Sequence, residues 1–199
     1  TFYPKTLVIE SFDITFIGKY YSHYQDCPRL LFAALQSLIA TNQIAVDEVK
    51  VHFYTNAVGQ ADFAKLAKEY TLDNVVRGHK YIPRNEIVDR MHHSSIMLVL
   101  TTPIKQYGTH GMMGTKFYEI LGVEKPCLCL NSDEECLAEA IKNTHAGLAA
   151  THVEDVKAFI LEKYQEWKAK GYTHQLVINK EQFTRQHEAE QFEQVFLQC

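Results

Sequence analysis

The run IMLVL, residues 96–100, has no polar member over the length of a β-strand. A strand packed on one face alternates apolar with polar residues, whereas an unbroken run fits a strand of a parallel sheet buried on both faces. Working outward from it, helices and strands alternate. On the amino side, Asn85 to His92 predicts a helix on Ile87, Val88 and Met91, and Val75 and Val76 begin a short strand before it. Gln60 to Tyr70, with Phe63, Leu66, Ala67 and Tyr70 at helical spacing, is preceded by a strand over Val49 to Tyr54. Earlier still, Ile14 to Ile17 is β-rich and ends in Gly18, and Pro28 opens a helix striped by Leu30, Leu31, Ala34, Leu35 and Leu38.

The carboxyl side repeats the pattern. A helix after Thr115 is expected to stop at Gly122. Pro126 to Leu130 is a strand, and Ser132 with Glu135 reads as a capping box ahead of the next helix. Gly147 to Ala149 predicts a strand, Val153 to Ala169 a long helix, and 181–197 a charged tail helix with Phe183, Phe192, Val195 and Phe196 as its apolar contacts. This alternation predicts an α/β fold, a doubly wound parallel sheet with helices on both faces, in one domain. The first dozen residues, with Pro4, read as a lead-in.

Composition narrows the function classes. The chain of 199 residues is 46% hydrophobic and 22% charged, ordinary values for a globular domain. A net charge of −4 with no long basic run argues against a nucleic-acid partner. No apolar run approaches the length of a membrane span. The five cysteines are scattered, and Cys127 and Cys129, two apart on a strand, share one face as small buried hydrophobes of a reducing compartment. The expected setting is the cytoplasm.

Ligands of an open parallel sheet bind beyond the carboxyl ends of its strands. Three loops qualify: the one after Ile17, the one spanning His79 to Pro83, and the one after Leu100. The last holds Gly108, Gly111 and Gly114 and leads into a helix start, where free N–H groups favour an anion. Beyond it, Phe117, Ile120 and Leu121 form a buried stripe while Lys116 and Glu119 share the other face. Phosphate-seeking amides, a cation and a carboxylate one turn on suit a diphosphate beside a ribose. A capped helix with a surface salt bridge is the plain reading of the same residues. His92 and His93 diverge by about a hundred degrees on a helix and read as a helix-end pair. His110 and the tyrosines at 20, 21 and 24 could contact a sugar or pack between loops. There is no Ser/His/Asp arrangement or metal-ligand spacing.

Four segments, in order, resemble the donor-binding C-terminal half of GT-B glycosyltransferases, most closely glycosyltransferase family 4: ITFIGKYY with PRLLFAALQSL, VVRGHKYIPRNEIVDRMHHSSIMLVL, GTKFYEILGVEKPCLCL and AIKNTHAGLAA. The resemblance implies a Rossmann-like domain, one half of a GT-B enzyme, whose partner N-terminal domain supplies most of the acceptor site. It implies retaining transfer of a sugar from a nucleotide diphosphate sugar to an acceptor such as a glycan or lipid-linked sugar, in cell-surface polysaccharide synthesis. The intact enzyme would sit in the cytoplasm or peripherally at the inner face of the membrane. No metal and no cofactor is implied beyond the donor substrate. Glu119 matches the ribose-binding glutamate. Gly18, Lys19, Gly111, Met112, Met113, Gly114, Thr115 and Lys116 match the diphosphate loops, and Tyr81 and Ile82 the base-binding backbone. The chain departs from the family at Gly111, where a first glutamate is expected, and at Gln25 to Cys27, where a second cation is expected; Arg29 or Lys116 could replace that cation. No catalytic residue is assigned. A GT-B sugar-nucleotide epimerase and a non-catalytic flavodoxin-like module remain alternatives.

Overall fold

A computed structural model describes residues 2–21, 28–101, 113–131 and 135–197. Six strands form one all-parallel sheet: β1 Phe12–Ile17, β2 Val49–Tyr54, β3 Val76–His79, β4 Ile96–Leu100, β5 Cys127–Leu130 and β6 Gly147–Ala150, in the order β3-β2-β1-β4-β5-β6. Among the described residues, seven α-helices surround it: α1 Arg29–Ala40, α2 Ala57–Glu69, α3 Ile87–His92, α4 Thr115–Val123, α5 Cys136–Thr144, α6 Val153–Lys170 and α7 Arg185–Leu197. The expected α/β doubly wound sheet is therefore what the chain forms.

Strand alternation divides the core in two. Phe12, Ile14 and Phe16 of β1, Val51 and Phe53 of β2, and Leu98 of β4 face α1, α2 and α6. Ile17, Tyr54, Met97, Cys127 and Cys129 face the other way, onto α3, α4 and α5. Both cysteines are fully buried, as the sequence suggests. On the first face, Phe12 meets Tyr164 edge-on at 5.5 Å, and Trp167 donates its indole N–H to the Ile9 carbonyl at 3.1 Å. That bond, with the Ile9 N–H on the Gly171 carbonyl at 2.9 Å, ties the lead-in to α6.

Several boundaries move for reasons that local sequence does not carry. The expected helix from Asn85 begins as a 3-10 turn, Arg84–Glu86, before α3. Helix α4 does not stop at Gly122, which lies inside it, packed so closely on Phe2 that an added Cβ would lie 2.7 Å from the Phe2 Cβ. The left-handed turn falls instead on Glu124, at φ 54. The Glu124 carboxylate binds His174 at 3.0 Å and Lys180 at 2.5 Å, and its carbonyl accepts the Gln175 N–H at 2.9 Å. Glu135 stands at the N-cap of α5 and not at its third position, so the expected capping register does not form; Ser132 lies outside the described residues. The tail opens with a 3-10 turn, Lys180–Phe183, and α7 follows with no buried residue.

Candidate nucleotide-binding site

The strand order places β1 between β2 and β4, and the chain leaves β1 for one side of the sheet and returns through β4 on the other. A doubly wound sheet has its ligand crevice at such a switch point, outside the carboxyl ends of the strands. Gly18 and Tyr81 follow the carboxyl ends of β1 and β3, and the start of α4, two residues from Gly114, meets Gly18 through Lys116.

The first loop is fixed by its neighbours. The Gly18 N–H donates to the Tyr54 carbonyl at 3.0 Å. Asn56 accepts from the Tyr20 N–H at 3.1 Å and donates to its carbonyl at 3.2 Å, while the buried Tyr20 ring lies 4.7 Å from Phe63. These contacts hold Tyr20 against the start of α2. Gly18 takes φ +155, which side-chain-bearing residues rarely adopt. Lys19 is exposed, its ammonium 4.7 Å above the Tyr21 ring.

Helix α4 brings the second group. Gly114 is its N-cap, extended at φ −71 and ψ 147, and its carbonyl accepts the Phe117 N–H at 3.1 Å. The Thr115 and Lys116 N–H groups, in the first turn, have no helical carbonyl to reach. Phe117, Ile120 and Leu121 are buried as expected. Lys116 reaches across to β1: a β-carbon built on Gly18 would lie 2.6 Å from its Cε. Its ammonium is 3.8 Å from Glu119 Oε2, an oxygen that is buried without a hydrogen-bond partner among the described residues. The two cations that could replace the family's second basic residue thus separate. Lys116 meets Gly18, whereas Arg29 binds Glu69 at 3.2 Å on the outer surface.

At the end of β3, Tyr81 is exposed, and Ile82 packs into the same apolar cluster as Met113 and Phe117. Gly111 and Met112, with Gly108 and His110, lie outside the described residues, as do Gln25 to Cys27 and Tyr24. His92 and His93 do diverge: His92 is buried 5.1 Å from the Tyr3 ring, and His93 is half-exposed beside Asp89. A polar hollow lined by Asn143, Asn179, Glu181 and Gln182 lies at the carboxyl end of α5, which feeds β6, and so at the opposite edge of the sheet.

The sequence reading missed a neighbouring polar group. His52 Nδ1 and His79 Nε2 share a hydrogen bond at 2.9 Å, His52 Nε2 is 3.4 Å from Asp13, and the His79 ring stacks on Tyr54 at 4.5 Å. Arg90 of α3 lies 5.4 Å over the same tyrosine ring. Burial first, then the charges of His52, Arg90 and Arg77, lower the His79 pKa. The available signal was the alternation of β2, which puts His52 and Tyr54 on one face.

No family model matches the sequence, and no curated protein matches it. Solved structures do. A mutant of Staphylococcus aureus TarM, in complex with Fondaparinux, alpha-GlcNAc-glycerol and UDP, aligns over 84% of this chain and 32% of its own, with a TM-score of 0.61 at 15% identity. The pneumococcal O-GlcNAc transferase GtfA, in complex with UDP and GlcNAc, aligns over 98% of this chain and 37% of its own, at 0.61 and 12%. The C-terminal domain of a glycosyl transferase group 1 family protein, LpcC from Francisella tularensis, aligns over 86% of this chain and 92% of its own, at 0.56 and 11%. The chain thus spans about a third of TarM and nearly all of the single LpcC domain. Its fold is the Rossmann-like domain found in GT-B glycosyltransferases.

Proposed function

We propose that this chain is the donor-binding domain of a GT-B glycosyltransferase that moves a sugar from a nucleoside diphosphate sugar to an acceptor. The observation that carries the reading is the meeting of Gly18, Lys116 and Glu119 at the switch point. A cation lies over the glycine after β1, beside a carboxylate oxygen that no donor among the described residues satisfies. In this reading the Thr115 and Lys116 amides, with Gly18, Lys19 and Lys116, hold the diphosphate. Met113 and Gly114 line its approach, and the expected diphosphate contacts at Gly111 and Met112 lie outside the described residues. Glu119 accepts from the ribose hydroxyls, and the backbone of Tyr81 and Ile82 meets the base. The amides and ammonium groups stabilise the negative charge that grows on the departing diphosphate, which is where preorganised donors lower a barrier.

Transfer with retention, as in family 4, and an acceptor site on a further N-terminal domain belong to the same proposal, as does weak binding without transfer by residues 1–199 alone. TarM and GtfA are described with UDP, which makes a uracil nucleotide the first to try. Synthesis of cell-surface glycans in the cytoplasm, at the inner face of the membrane, is the setting this reading favours. Among the described residues no helix is long and apolar enough to cross a membrane.

The rivals are unequal. A flavodoxin-like module would have the strand order 2-1-3-4-5, which is not the order here. An epimerase shares the architecture, and would convert a nucleotide sugar with no acceptor present. Calorimetry with UDP, GDP, ADP, CDP and dTDP tests the main reading. One should bind, and Glu119→Gln should weaken it by roughly 1.5–3 kcal/mol at most, the value of a charge-assisted hydrogen bond. Absence of binding by all of them, in a folded protein, would overturn it.

A further inference from the structure

Lys116 stands between two partners. Its stem crosses Gly18, with Nζ 3.5 Å from where a β-carbon would be, and the same ammonium is 3.8 Å from Glu119 Oε2. That second distance is a Coulombic contact, too long for a hydrogen bond. Glu119 Oε2 is buried and accepts no hydrogen bond from the described residues, an arrangement that buried polar atoms seldom keep. The Lys116 and Glu119 side chains are 28% and 24% exposed, so solvent screens the pair only in part. The ammonium therefore neutralises the carboxylate without satisfying it.

A diphosphate held on the first-turn amides of α4 would present more negative charge to Lys116 than one carboxylate does. We propose that Lys116 exchanges partners: its ammonium leaves Glu119 for the diphosphate, and Glu119 Oε2 is thereby released to accept a ribose hydroxyl. This rests on the nucleotide reading above. The exchange couples the two subsites, since each half of the ligand repairs what the other disturbs. The diphosphate draws the cation away, and the hydroxyl supplies the donor the carboxylate then lacks. Lys116 thus becomes a specificity-determining residue. A bare nucleoside meets a carboxylate still paired, and inorganic pyrophosphate takes a cation that must abandon its carboxylate. Only a nucleoside diphosphate satisfies both groups.

The diagnostic is an effect of opposite sign on two ligands. Calorimetry of the 199-residue chain at fixed ionic strength would compare pyrophosphate with the tightest-binding nucleoside diphosphate, UDP being tried first. Glu119→Gln should strengthen pyrophosphate binding by about threefold to fivefold, the upper end of the scale of a partly screened ion pair, while weakening the nucleoside diphosphate. Lys116→Met should weaken pyrophosphate, and Glu119→Gln added to it should restore less than about twofold. Circular dichroism establishes that each variant is folded.

An unchanged pyrophosphate affinity in Glu119→Gln would overturn the exchange. So would a gain that persists in full without Lys116, because the carboxylate would then act through its field alone. Failure of pyrophosphate to bind either the wild type or Glu119→Gln overturns it as well. Failure of the nucleotide reading is distinguishable: the opposite response to Glu119→Gln would vanish because no nucleoside diphosphate binds more tightly than pyrophosphate, while the pyrophosphate gain and its dependence on Lys116 remain.

Discussion

Lys125 should make the protein less stable at neutral pH than a methionine in its place. The residue precedes β5 and is 1% exposed, yet its ammonium makes one long hydrogen bond, 3.4 Å to the Thr173 carbonyl. Burial lowers its pKa from 10.5 to about 8, with Glu166 opposing the shift. Glu166 is itself engaged with Lys163 at 3.7 Å and Lys170 at 3.1 Å. Between the two pKa values the unfolded chain holds a proton that the folded chain has lost, so stability rises with pH across that window. At about 1.4 kcal/mol per pKa unit, the rise is about 3 kcal/mol between pH 8 and 10.5. At pH 7 both states are protonated and the full penalty of burying the charge applies. Lys125→Met removes it, fills the same space, and gives up one weak hydrogen bond. We expect stabilisation of about 1–3 kcal/mol at pH 7, shrinking toward zero or reversing by pH 10. Urea unfolding of both proteins at pH 7, 8.5 and 10 reads it directly. A wild-type-minus-variant difference that stays constant with pH, or a variant less stable at pH 7, would refute the reasoning.

Two glycines should respond in opposite ways. Gly147 opens β6 at φ +153, and an added Cβ would sit 2.0 Å from the Cys127 carbonyl oxygen, on backbone that the sheet holds in place; Gly147→Ala should cost about 2–4 kcal/mol in urea unfolding, and a loss below about 1 kcal/mol would show that β5 and β6 can part. At Gly114 no described residue lies within 4 Å of an added Cβ and the backbone is ordinary extended chain, so Gly114→Val should lose less than about 1 kcal/mol of stability, yet weaken a nucleoside diphosphate at least about tenfold while leaving the nucleoside alone; equal losses for both ligands by calorimetry would remove the diphosphate from the α4 amides.

What the sequence made legible follows from how local each cause is. Ile96 to Leu100 and Cys127 to Leu130 read as strands because burial on both faces leaves no polar residue in either. The open edge was legible too, since it depends only on strands being parallel. Features set by distant partners were not. Glu124 ends α4 because His174, Gln175 and Lys180 hold it, and nothing near Gly122 announces that. Arg29 and Lys116 are equal candidates on paper, and only the packing sends one to Glu69 and the other to Gly18. Arg90 was passed over because its partner, the Tyr54 ring, belongs to another strand.

The same long-range contacts hold α4 in place at the candidate site. A helix of nine residues has little stability of its own, so its position must come from packing. The segment returning from α6 grips it at both ends. Glu124 fixes the last turn through three contacts with residues 174–180. Phe183 then closes on the first turn, its ring 5.9 Å from Phe117 and 5.8 Å from Tyr118. Those two residues lie between Lys116 and Glu119 in the chain. Phe183 therefore packs on the turn that carries the two charged groups. Helix α7 starts two residues after Phe183, with Phe192, Val195 and Phe196 exposed along it. The placement of Lys116 and Glu119 therefore depends on packing against residues 174–183 and not on α4 alone.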